Sequence, residues 1–168
     1  MKSVRWFLDH LGDGDRERFV AAQPRFVLVE IEAGDETAGS DLGVTERIDA
    51  AAIQRQSRSS GDARVLGVSG QGAEGRLSVG RSRRCDLVVD HPSVSKEHAR
   101  LEVSAERVTV EDLGSTNGTF VNSRKLAPGT PAVIRPDDLV RFGEATGFQF
   151  MDSGGFFDYL RVLRRFGF

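Results

Sequence analysis

Two hydrophobic periods divide the chain. Val4, Phe7, Leu8 and Leu11 recur at i, i+3, i+4 and i+7, the spacing of one helical face. Ser3 stands where a side-chain oxygen can cap the first turn, and Gly12 and Gly14 end the run. A second short helix is predicted over Asp15–Ala22, stopped by Pro24. Phe26–Ile31 (FVLVEI) is a β-branched and aromatic run and predicts a strand. From Arg64 onward the pattern shortens to apolar runs separated by turn signals. Strands are predicted over Arg64–Val68, Arg76–Val79, Asp86–Val89, Ala99–Val103, Val108–Asp112, Thr119–Val121, Pro131–Ile134, Leu139–Phe142 and Gly147–Met151. Ala99-Arg100-Leu101-Glu102-Val103 alternates apolar and charged, the mark of a half-buried strand. Asn117-Gly118 and Pro136-Asp137-Asp138 read as turns. Over Phe156–Phe166 the spacing is helical again, with Phe156, Leu160 and Leu163 on one face and Arg161, Arg164 and Arg165 on the other. That is an amphipathic helix docking on the domain, with a basic membrane-surface or partner helix as the sharper alternative.

The stretch Ala33–Gly61 has another character. Gly, Ser, Asp, Ala and Thr dominate, large apolar side chains are sparse, and at most one helical turn is expected, near Ile48–Gln54. The expected organisation is an N-terminal helical extension plus strand (1–32), a polar linker or insertion (33–61), a β-sandwich (62–151) and a C-terminal helix (152–168). FVLVEI is either the sandwich's first strand, with 33–61 inserted after it, or part of the extension.

Composition narrows the class. A chain of 168 residues with 39% hydrophobic and 29% charged residues has the balance of a globular domain, and 19 glycines suit a turn-rich β protein. The net charge of −2 offers no global attraction to nucleic acid or an anionic membrane, so anion binding needs a local cluster of cations. The single cysteine, Cys85, fits a reducing cytoplasm. The apolar runs are too short for a transmembrane segment, and Met1–Leu11 lacks the continuous apolar stretch of a secretory signal.

Three segments concentrate polar chemistry. They are Gly80-Arg81-Ser82-Arg83-Arg84 after a strand, Ser95-Lys96-Glu97-His98 opening one, and Gly114-Ser115-Thr116-Asn117-Gly118-Thr119 between two. Together they supply what a phosphate dianion needs. An arginine fork pairs two oxygens at once, and hydroxyls and an ammonium satisfy the rest. Gly80 allows a close backbone approach.

These residues resemble the forkhead-associated (FHA) family pattern of G-R, then S-x-x-H, then a G-S-x-N-G turn, and the chain is similar to an FHA protein of bacterial type. Here the pattern reads Gly80-Arg81, Ser95-Lys96-Glu97-His98 and Gly114-Ser115-Thr116-Asn117-Gly118. CDLVVDHPSVSKEHARL and VEDLGSTNGTFVN fit around it. The resemblance, over about residues 62–151, implies an FHA-like β-sandwich, so with the helices read from spacing the fold expected is mostly β, with short N-terminal helices and a C-terminal amphipathic helix. It implies a cytoplasmic, non-catalytic adaptor without cofactor that binds phosphothreonine peptides. Its partners would be phosphothreonine proteins, among them a Ser/Thr kinase or its substrate. Arg81 resembles the arginine that pairs with the phosphate, Ser95 and Thr116 its hydroxyl donors, and Lys96 a second cationic contact. Asn117 resembles the side chain that grips the peptide backbone. His98 resembles a histidine that braces the loops, with Gly80 and Gly118 as backbone requirements.

Arg83 and Arg84 fit solvated positions, with acidic ligand residues as the alternative. Thr37 and Thr45, near acidic residues in the polar stretch, are candidate phosphorylation sites. Ser95, His98 and Asp112 invite a hydrolase triad, but no nucleophile elbow accompanies them. Cys85, His91 and His98 match no common zinc-module spacing, so no metal is expected. No nucleic-acid motif is present. A phosphate-independent scaffold using the terminal extensions is the alternative function.

Overall fold

The FVLVEI run is apolar at consecutive positions because both of its faces are covered, a pattern expected of a strand buried on two sides. In the computed structural model, which describes residues 2–11, 15–31, 62–68, 75–105, 107–144 and 146–165, Phe26 and Leu28 face one apolar cluster and Val27 and Val29 another. Thr37, Thr45 and the turn expected near Ile48–Gln54 lie outside the described residues.

The elements in chain order are β1 (Lys2–Ser3), α1 (Val4–Asp9), α2 (Arg16–Ala22), β2 (Phe26–Ile31), β3 (Arg64–Val68), β4 (Gly75–Gly80), β5 (Leu87–Val88) and β6 (Ala99–Val103). Then follow β7 (Val108–Asp112), β8 (Thr119–Val121), β9 (Arg124–Lys125), β10 (Ala132–Ile134), β11 (Leu139–Phe142), β12 (Thr146–Asp152) and α3 (Ser153–Arg165). They build a seven-stranded sheet, β1-β3-β2-β12-β11-β8-β9, facing a five-stranded sheet, β10-β7-β6-β4-β5. Pairings are antiparallel except β4 with β5. The chain is thus a mostly β sandwich with short N-terminal helices and a C-terminal helix.

Between the sheets lie Leu28, Leu66, Val140, Phe142, Phe148 and Phe150 from one side and Leu77, Val79, Leu101, Val103 and Val110 from the other, all buried. Each such side chain contributes about 1.5–3 kcal/mol by leaving water. The outer face of the larger sheet is covered too. Val27, Val29, Val65 and Met151 pack under Val4, Phe7 and Leu11 and under Phe156, Phe157, Leu160 and Leu163 of α3. Ser3 and Asp15 cap α1 and α2, accepting from Trp6 N and Arg18 N.

β2 pairs with β3 on one side and β12 on the other, so the sandwich takes in residues upstream of 62. Other differences are local. The expected strand Asp86–Val89 shortens to Leu87–Val88, because the Asp86 carboxylate instead accepts from Ser78 N at 2.8 Å and Ser78 Oγ at 2.7 Å. β8 and β9 form a hairpin whose two-residue loop, Asn122-Ser123, has φ of 48° and 66°, the sign pattern of a type I′ turn. Arg64 of β3 pairs with Glu30 of β2, donating from Nε at 2.8 Å, and feels the Asp90 carboxylate as well.

Candidate functional site

The rim of the sandwich beyond β4 and β6 is laced by backbone hydrogen bonds. His98 N donates to Val79 O at 2.8 Å, Arg81 N to Ser95 O at 2.9 Å, and Ser82 N to Lys96 O at 3.1 Å. Gly80 sits inside this lacing. A Cβ there would run into the Lys96 carbonyl and reach Cys85 Sγ at 3.0 Å, so the close approach that glycine permits is loop against loop.

Residues 93–96 are the hub for the expected side chains. Arg81 is exposed and donates from Nε to Val94 O at 3.2 Å, which holds the base of its guanidinium. Ser95 Oγ accepts from Thr116 N at 3.1 Å and lies 3.5 Å from Thr116 Oγ1. Asn117 Nδ2 donates to Ser93 O at 2.8 Å. Lys96 follows Ser95 with an exposed side chain. The three segments, far apart in sequence, thus meet at one edge of the molecule, with Arg81, Ser95, Lys96, Thr116 and Asn117 together. The Thr116 and Asn117 loop bends between the two sheets, from β7 in one to β8 in the other, so Asn117-Gly118 turns the chain without forming a hairpin.

His98 ties two of the loops from within the core. It is fully buried, accepts from Ser95 N at Nδ1 (3.0 Å), and donates from Nε2 to Gly118 O (3.1 Å). Those roles require the neutral ring protonated at Nε2. Burial pushes its pKa below the ordinary histidine value, against the opposing pull of the Gly118 carbonyl and the Asp112 carboxylate. Gly118 turns with φ of 87°.

Asp112 is a support the sequence reading missed. Its buried carboxylate accepts from Gly114 N (2.9 Å) and Ser115 N (3.0 Å) at Oδ1, and from Ser115 Oγ and Thr119 Oγ1 (both 2.6 Å) at Oδ2. Burial alone would raise its pKa, but the Ser115 and Thr119 hydroxyls, with the amides, hold it below the usual carboxylate range. Aspartate followed two and three residues later by Gly and Ser is the signal of such a side-chain-closed turn. Ser93 was missed as well. Its carbonyl holds Asn117, and its Oγ pairs with His91 Nδ1 at 2.8 Å.

The geometry does not assemble a hydrolase triad. His98 Nδ1 takes the Ser95 backbone N–H, while Ser95 Oγ faces Thr116. Cys85 and His91 have separate partners, the thiol donating to Lys96 O at 3.2 Å.

Comparison with known proteins adds an independent line. The family model of the FHA domain matches residues 77–143. Human Kanadaptin is 38% identical over 78 residues, which cover 40% of this chain and 10% of Kanadaptin. Human nuclear inhibitor of protein phosphatase 1 is 42% identical over 64 residues, 37% of this chain and 18% of that protein. The chain therefore spans only a small part of these relatives. Both are eukaryotic, so they lend nothing to the bacterial type expected from the sequence. Among solved structures, the FHA domain of CT664 from Chlamydia trachomatis has a TM-score of 0.53 at 22% identity, covering 76% of this chain and 97% of that one. The FHA domain of an Arabidopsis thaliana hypothetical protein has a TM-score of 0.52 at 23% identity, covering 77% and 86%. At those identities the structures speak for the fold.

Proposed function

We propose that this chain, whose sandwich is an FHA domain, is a phosphothreonine-peptide reader acting downstream of a Ser/Thr protein kinase. FHA domains are binding modules for phosphothreonine peptides, and a reader needs no catalytic group. The observation that carries the reading is the convergence of Arg81, Thr116 and Asn117 on residues 93–96, which include Ser95. A phosphothreonine brings about −1.5 to −2 charges and three acceptor oxygens. Arg81, held at Nε, keeps its terminal nitrogens for two of them. The Ser95 and Thr116 hydroxyls and the Lys96 ammonium serve the remainder. Asn117 holds Ser93 with one amide hydrogen and grips the ligand backbone with its oxygen and other hydrogen. The buried free thiol of Cys85 accords with a reducing cytoplasmic setting.

Titration of a phosphopeptide library against the wild type and Arg81→Ala tests this. The substitution is expected to cost on the order of 2–5 kcal/mol of binding by removing one partner of a hydrogen-bonded charge pair. Equal affinity for phosphorylated and unphosphorylated peptides would remove the reading. The scaffold alternative is weakened because α1 and α3 bury their apolar faces on the domain's own sheet.

A further inference from the structure

The turn that leads into Ser95 sets two of the proposed contacts at once. Val94 N donates to His91 O at 3.0 Å, which closes a tight turn with Pro92 and Ser93 at its corners. Proline suits the first corner because its ring presets φ. The next two carbonyls face the rim. Ser93 O accepts from Asn117 Nδ2 at 2.8 Å, and Val94 O accepts from Arg81 Nε at 3.2 Å. The orientation of these two peptide groups therefore sets where both side chains stand.

Ser93 is held from two sides. Its N–H donates to His91 Nδ1 at 3.2 Å, and its hydroxyl meets the same nitrogen at 2.8 Å. A backbone amide can only donate, so Nδ1 carries a lone pair and the ring proton sits on Nε2. The bond runs from the side chain of residue i to the N–H of residue i+2, as in the turn that an asparagine or aspartate closes with its own oxygen. On the other side, Gly143 backs onto Ser93. A Cβ there would lie 2.6 Å from both the Ser93 carbonyl oxygen and Oγ. Gly143 N also donates to Gly118 O at 2.9 Å, beside Asn117.

We infer that His91 is a positioning residue of the phosphopeptide site: its Nδ1 sets the Ser93 peptide, and the Ser93 carbonyl sets Asn117. The inference rests on the phosphothreonine reading of the same rim. A side chain held in place before the ligand arrives loses less freedom on binding, so the effect falls on affinity. His98 does comparable work for Ser95 from inside the core, and His91 does it from the turn.

A double-mutant cycle on the full chain tests this, with His91→Ala, Asn117→Ala and the pair. The readout is affinity for a phosphothreonine peptide, well below each melting temperature. His91→Ala is expected to weaken binding about five- to ten-fold, through one lost hydrogen bond and one freed side chain. In the pair, the His91 change should add almost nothing to the loss from Asn117→Ala, because both act through one contact. His91→Asn can close the same turn from Oδ1 and should return affinity to within about two-fold of the wild type. A damaged fold would instead give additive losses and no rescue. The side-chain amide resonances of Asn117 should move in ligand-free His91→Ala and return in His91→Asn. In the wild type, NMR of the His91 ring should find its proton on Nε2, a reading that needs no variant. Unchanged affinity in His91→Ala, additive losses, failure of His91→Asn to rescue, an unmoved Asn117 amide or a proton on Nδ1 would each overturn the inference and leave the phosphothreonine reading intact. Equal affinity of the wild type for phosphorylated and unphosphorylated peptides would sink the phosphothreonine reading instead, and the Asn117 resonances would still decide the role of His91.

Discussion

At the scale of single residues, the groups proposed to bind the ligand stand on buried supports. His98 accepts from the Ser95 amide and donates to Gly118, so its neutral form holds two loops in register. Its folded-state pKa is depressed, so the unfolded chain binds more protons below the ordinary histidine value of about 6.5. The histidine's contribution is therefore fully present above that value and is lost as pH falls through the folded pKa. Asp112, also depressed, adds a loss at lower pH, below the ordinary carboxylate range. Chemical denaturation at pH 7.5 and pH 5.5 should show the domain less stable at the lower pH, and NMR of the ring should find His98 titrating below the ordinary histidine value. A titration at or above that value would contradict the tautomer assigned to it. Gly80→Ala should destabilise by about 1–3 kcal/mol or more, since the added methyl meets backbone that cannot yield. Denaturant melts measure this directly.

At the scale of elements, what could be read in the sequence follows its physical causes. The alternation in β6 and the helical spacing of α3 were visible because each has one buried face. The role of FVLVEI was not, because a strand covered on both faces has no period to reveal its neighbours. β9 was missed because Arg124 and Lys125 are both exposed and its turn uses Asn122-Ser123 without glycine. The residues proposed as contacts were legible through their motifs. Ser93 was not, since its work is done by a backbone carbonyl, and Asp112 left only the local signal of a side-chain-closed turn, which does not reveal its burial. Because β2 is an interior strand, a fragment beginning at residue 62 should fail to fold, seen as loss of cooperative melting. Leu160→Ala in α3 should cost about 2–5 kcal/mol by opening a cavity under the helix, measured by denaturant melts.

At the scale of the whole molecule, two layers divide the labour. The helices and the outer face of the larger sheet form one apolar cluster, while the space between the sheets forms another. The cationic rim projects from the strand ends, where the scaffold is stiff and the loops are free to carry polar groups. Binding should therefore change the rim and leave the core nearly unmoved. The direct test is amide chemical-shift mapping of the full chain during titration with a phosphothreonine peptide. The shifts are expected to concentrate at residues 81–84, 93–98 and 114–118 and to be absent with the unphosphorylated peptide. Shifts confined to the helical layer, or identical shifts with both peptides, would contradict the account.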